Sequence, residues 1–103
     1  MTINIQYQDM ATSESLNEIV TRNLIKLAHK FQFLIRADVL FKVENDPTGN
    51  GKICEVQLSA PRPRIFAKSN ENNFEKAAAA TLSDLNKQLQ KRKEKISKRK
   101  KAL

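Results

Sequence analysis

The chain predicts an α+β fold: a two-layer β-α-β-β-β-α arrangement in which a four-stranded mixed sheet carries two helices on one face. Three observations point there. Four short segments alternate apolar and polar residues, two longer ones carry apolar stripes at helical spacing, and turn chemistry separates the later strands.

The first strand rests on Ile3, Ile5 and Tyr7 alternating with Asn4 and Gln6. Helix-start chemistry follows, with Ser13 or Ser15 as N-cap, the latter forming a capping box with Glu18. Leu16, Val20, Leu24, Leu27 and Phe31 then make one helical stripe ending near Lys30 or Phe31. Period two returns after Arg36: Ala37, Val39, Phe41 and Val43 face one way, Asp38, Lys42 and Glu44 the other. The segment 46–51, Asp-Pro-Thr-Gly-Asn-Gly, is a turn. Cys54, Val56, Leu58 and Ala60 alternate with Glu55, Gln57 and Ser59 as a third strand. The run 61–64, Pro-Arg-Pro-Arg, is too proline-rich for a central strand and makes the next turn, decorated by Arg62 and Arg64. Ile65 to Ser69 is a short fourth strand, and Asn70 to Asn73 supply caps for a second helix with the stripe Phe74, Ala78, Leu82, Leu85 and Leu89.

The helical crossover makes strands one and two parallel if they are neighbours, and the tight turns make the rest antiparallel. Thr2, Asn4, Gln6, Glu55, Gln57 and Ser59 give the sheet a polar face, so both helices belong on the other. Leu40 and Phe66 interrupt that polar face without an explanation in the sequence.

At 103 residues the chain suits one domain, expected over 1–96, followed by a basic tail over 97–103. No apolar run reaches the roughly eighteen residues of a membrane span, and the start lacks the features of a signal peptide. Cys54 has no cysteine to pair with. The expectation is a cytoplasmic protein with no membrane partner.

The net charge of +8 is confined to the last eighteen residues: nine Lys or Arg from Asn86 onward face one acid, Glu94, while the preceding residues balance. Such a block attracts polyanions, above all nucleic acid. At about 100° per residue, Lys87, Lys91, Lys95 and Lys98 form one row opposite Leu85 and Leu89. Arg22 and Lys26 lie opposite the first helix's stripe, with His29 and Lys30 close by. Two helices side by side would merge these rows into one basic surface. Continuing the second stripe past Leu89 brings up Arg92 before Ile96, so the helix is expected to leave the body after Leu89 as a basic rod or a frayed tail.

Catalysis finds little support in one histidine, one cysteine and two glycines that share a turn. His29 fits a surface helix residue and Cys54 a small core residue. No cluster has metal-ligand spacing. The expectations are therefore no catalytic residue, no metal, no cofactor and no small-molecule substrate.

The Ile-Asn-Ile opening, the run Leu24-Ile-Lys-Leu27, the strand Leu40-Phe-Lys-Val-Glu44 and the ending Leu85-Asn-Lys-Gln-Leu-Gln-Lys91 resemble the short ribosome hibernation promoting factors and ribosome-associated protein Y. The resemblance spans essentially the whole chain. It implies a fold related to double-stranded RNA-binding domains and binding in the small-subunit groove where mRNA and tRNA lie. By position it implies rRNA contacts at Lys26, Lys87, Lys91 and Lys95. Arg22 stands one residue from a family basic position, Asp84 stands where the family usually has lysine, and Arg92 and Lys98 join the candidates from the C-terminal block. The second helix opens with Asn70-Glu-Asn-Asn-Phe-Glu75 rather than a lysine cluster, which argues against general duplex binding. The ending at Leu103, without an acidic tail or second domain, resembles the short form.

The sequence thus points to a non-enzymatic factor that binds small-subunit rRNA and silences idle ribosomes, monomeric when free. A general RNA-binding protein or RNA chaperone is the alternative, weakened because Phe66 is the one aromatic expected to be exposed for stacking. A module whose basic helix docks an acidic protein is a third reading.

Overall fold

The computed structural model describes residues 1–61 and 64–102, with side chains through residue 95. Six elements follow in the expected order: β1 (Thr2–Gln8), α1 (Glu14–Lys30), β2 (Arg36–Val43), β3 (Lys52–Ser59), β4 (Ile65–Glu71) and α2 (Phe74–Ala102). They form one sheet in the order β1-β2-β3-β4. β1 runs parallel to β2, and β2–β3 and β3–β4 are antiparallel, so the mixed α+β sheet is as the sequence predicts.

Register puts the inward residues of all strands in rows. Ile5, Val39, Val56 and Ala67 align across the sheet, as do Ile3, Ala37, Leu58 and Ile65. Helices cover that face, with α2 over β3 and β4 and α1 beside it. The core joins Leu16, Val20, Leu24 and Leu27 of α1, with its C-cap Phe31, to Ala77, Ala78, Leu82, Leu85 and Leu89 of α2 over these strand residues. Phe41 stacks on Tyr7 and meets Phe74 edge-on, with ring centroids 5.3 and 5.7 Å away. Thr81 is the buried polar residue of this core; its Oγ1 lies 2.9 Å from the Ala77 carbonyl and 3.1 Å from that of Cys54, which ties α2 to β3.

Of the two N-cap candidates for α1, Ser13 is used: its Oγ accepts from the Leu16 amide at 3.3 Å. β4 runs on to Glu71, so Asn70 belongs to the strand. The α2 cap falls to Asn73, whose Oδ1 accepts from the Lys76 amide at 2.8 Å.

β3 begins two residues earlier than alternation from Cys54 suggests, which places Ile53 on the polar face yet fully buried. Lys42 and Asn70 flank it in register. The β2–β3 turn folds back at that end: Gly51 N–H donates to Asn70 Oδ1 at 2.6 Å, and Asn70 Nδ2 reaches Asp46 Oδ2 at 3.5 Å. Gly51 has φ +112°, and a Cβ there would collide with the Glu44 carbonyl oxygen, so no other residue fits.

Candidate nucleic-acid interface

α1 and α2 lie side by side, and four contacts fix which flank each turns to its neighbours. Lys30 Nζ donates to Asn86 Oδ1 at 3.3 Å across the seam. Lys93 Nζ sits 6.0 Å from the Phe31 ring centroid, with Lys30 Nζ 5.3 Å from the same ring. On the opposite flank of α2, Gln88 Nε2 donates to the Phe66 carbonyl of β4 at 3.1 Å.

These contacts orient the predicted cations. Lys93 follows Asn86 by seven residues, two turns, and so shares the flank toward α1. Lys95 follows Gln88 by seven and shares the flank toward β4. Lys87 and Lys91 fall on the outer face between those flanks. In α1, Arg22, Lys26 and Lys30 succeed one another every four residues, winding from the outer face into the seam. Arg22, Lys26, Lys87, Lys91 and Lys95 are all exposed.

The two rows thus share one layer, with Arg22, Lys87 and Lys91 on its outer face. Within the α2 row only Lys95 leans toward β4, and the cations that meet at the seam are Lys30 and Lys93. Sequence reasoning did not place those two among its binding candidates. The usable signal was Phe31, the last member of the α1 stripe, which marks where α2 must pass.

Arg92 is half-buried, on the inward line that continues from Leu85 and Leu89. With Lys93 against Phe31, it keeps α2 on the body about one turn beyond Leu89, later than the apolar stripe alone implies. The helix continues to Ala102. The side chain of Lys98 lies outside the described residues, as does Arg62; Arg64 is exposed.

The open face of the sheet also carries cations, in a different state. Arg36 grips Asp38, its Nε donating to both carboxylate oxygens at 3.0 and 3.1 Å. Lys42 Nζ lies 3.2 Å from Glu55 and 3.6 Å from Glu44, and Lys68 Nζ reaches Glu55 at 3.6 Å. The hydrogen bond and charge of Glu55 raise the Lys42 pKa above the ordinary lysine value. These ion pairs lie on the open face, and none involves Arg22, Lys26, Lys87, Lys91 or Lys95.

No group of side chains among the described residues has the makings of a metal site. No helix there is long and apolar enough to cross a membrane. Cys54 sits inside the core, where burial pushes its thiol up to about 11 and removes thiolate reactivity. Tyr7, also raised by burial, holds its hydroxyl 3.0 Å from the Ser13 carbonyl and 2.8 Å from Asn17 Oδ1, an arrangement that closes the β1–α1 connection.

The family described as Sigma 54 modulation protein / S30EA ribosomal protein matches residues 3–97. The chain belongs to that family. Membership in this ribosome-associated S30EA family agrees with the resemblance read from the sequence. Its fold is also that of solved structures. A ribosomal subunit interface protein from Coxiella burnetii superposes with a TM-score of 0.76 at 21% identity, over 90% of this chain and 98% of that one. The N-terminal domain of Protein Y from Thermus thermophilus gives 0.75 at 15% identity, over 88% and 98%. Among curated proteins the sequence finds no match.

Proposed function

We propose that this S30EA-family chain is a ribosome hibernation factor. Its helical layer binds small-subunit rRNA in the groove used by mRNA and tRNA and so silences idle ribosomes in the cytoplasm. The observation that carries the reading is the segregation of unpaired cations. Arg22, Lys26, Lys87, Lys91 and Lys95 stand exposed on one layer with no carboxylate partner among the described residues, while the cations of the sheet face are paired. Arg92, Lys30 and Lys93 extend the same layer, and Lys98 joins the proposed contacts from its place in the basic C-terminal block. Backbone phosphates ask for charge and shape rather than base readout, which suits lysines without aromatic partners. The names of the structural neighbours, a subunit interface protein and Protein Y, support a site on the ribosome. Catalysis plays no part in this mechanism. Occlusion alone blocks the groove.

Two ligands that exclude each other weaken each other's binding reciprocally. Vacant ribosomes should therefore capture the protein, and ribosomes preloaded with mRNA and initiator tRNA should resist it, in a sedimentation assay. With about four to six phosphate contacts, log affinity should fall against log salt with a slope of roughly −0.7 to −0.9 per contact. Equal affinity for vacant and preloaded particles removes groove occlusion. Equal affinity for free RNA of the same length would move the reading to an RNA chaperone.

A further inference from the structure

β1 is an edge strand that lacks the usual protections. It pairs with β2 on one side only. Its seven residues, Thr-Ile-Asn-Ile-Gln-Tyr-Gln, contain no charge, proline or glycine, the devices that normally keep sheet edges from pairing. The other edge, β4, is managed differently: Lys68 and Glu71 charge it, and Gln88 of α2 caps its Phe66 carbonyl. Among the described residues, no side chain bonds the outer backbone of β1.

The direction of the free groups follows from one hydrogen bond. The Thr2 amide donates to the Ile35 carbonyl, toward β2, at 3.1 Å. Backbone groups alternate sides along a strand, so those of Ile3, Ile5 and Tyr7 point to the free edge. The polarity of the strand is symmetric about Ile5: apolar at 3, 5 and 7, polar at 2, 4, 6 and 8.

We propose that β1 is a self-association edge, at which a second copy of this chain pairs antiparallel about Ile5 to make one continuous sheet. Ile5 then exchanges both hydrogen bonds with its own copy, and Ile3 does so with Tyr7. Apolar residues meet apolar residues on the helix face, and Asn4 stands opposite Gln6 on the open face. Such pairing is isologous and closes at two copies.

Two further features fit a second copy as the occupant. On the flank of α1 above this edge, Ile25 is 46% exposed and, with Ala28, His29, Met1 and Ile3, lines a shallow groove of mixed polarity. The pairing brings this flank against its counterpart and covers it. The charge also permits it. The basic α2 lies over β3 and β4, across the sheet from the edge. Strand spacing of about 4.8 Å sets it more than a Debye length away at physiological salt, while residues before Asn86 sum to zero charge. One strand and one helix flank make a small interface, so the expected dissociation constant is on the order of micromolar or weaker. The free monomer expected from the sequence then holds only at low concentration. Nothing in this inference depends on the ribosome reading, and its test contains no ribosome.

The experiment is sedimentation equilibrium of the full chain from about 1 μM to 1 mM, paired with cysteine cross-linking. Mass should rise from 11.8 kDa toward twice that value. Ile25→Glu, at an exposed site that leaves the core intact, should weaken association at least tenfold. Asn4→Cys mixed with Gln6→Cys should form a disulfide-linked heterodimer on mild oxidation. Asn4→Cys alone should not, because its copies stand two residues out of register, beyond disulfide reach. The buried native Cys54 does not compete. A chain that stays monomeric to 1 mM overturns the proposal. So does a dimer that is indifferent to Ile25→Glu or that cross-links equally through Asn4→Cys alone, because its interface lies elsewhere.

Discussion

The two faces of this small protein hold the same kinds of cation in opposite circumstances. On the open sheet, Arg36, Lys42 and Lys68 each touch a carboxylate within 3.6 Å, and Glu55 serves two of them. On the helical layer, Arg22, Lys26, Lys87, Lys91 and Lys95 meet none among the described residues. A paired cation has already spent its field on its partner. An unpaired one keeps it for a phosphate, and releases counterions when it finds one. Counting lysines does not separate the faces; locating the acids does.

The largest effects test whether core and surface of α2 do different work. Leu85 is fully buried, and Leu85→Ala should lower unfolding stability by roughly 2–5 kcal/mol through the cavity it leaves, read by chemical denaturation. Changing Lys87, Lys91 and Lys95 together to Gln should leave stability within about 0.5 kcal/mol per site while weakening ribosome association at least a hundredfold, at roughly 1 kcal/mol or more per lost charged contact. A triple variant that still sediments with ribosomes at the native concentration would reduce these lysines to a solvated face.

Element order, pairing and nearly all of the core were legible because alternation and four-residue spacing report burial directly: Val39, Val56, Leu24 and Leu85 are all where the pattern puts them. Ile53 was not legible. It sits between Lys42 and Asn70 in register, at the end of the sheet where the Asp46–Asn70–Gly51 bonds join residues far apart in sequence. The candidate cations were legible as rows on two helices, but the seam where those helices meet was not. A helical wheel gives the angle of Lys87 relative to Leu85, yet the angle between two helices depends on contacts such as Lys30–Asn86 that no periodicity encodes. The same limit hid Lys93, whose place is set by Phe31 on the other helix.

Cys54 supplies a pH test of the layer between the two faces. Its folded pKa, about 11, lies above the unfolded value near 9, so folding favours the neutral thiol. That stabilisation is complete below about pH 9 and is lost as pH rises toward 11, by up to roughly 3 kcal/mol. Denaturation curves across this window should shift accordingly, and Cys54→Ala should flatten the cysteine's share of the shift. Thiol reagents should leave the native protein unmodified at neutral pH.

The smallest effect makes the sharpest comparison. Replacing Arg36, Lys42 and Lys68 with Gln removes three positive charges, the same number as the triple change on α2. If bulk charge drew the protein to the ribosome, both variants would lose affinity alike. If placement and pairing decide, the sheet variant should sediment with ribosomes within about twofold of the unmodified chain, with an unchanged salt slope, since no phosphate contact is lost. Its cost should be confined to stability and stay small, about 0–1 kcal/mol for each exposed pair. Loss of ribosome association in the sheet variant, with folding intact, would bring the open face into the interface and overturn the division of labour between the two layers.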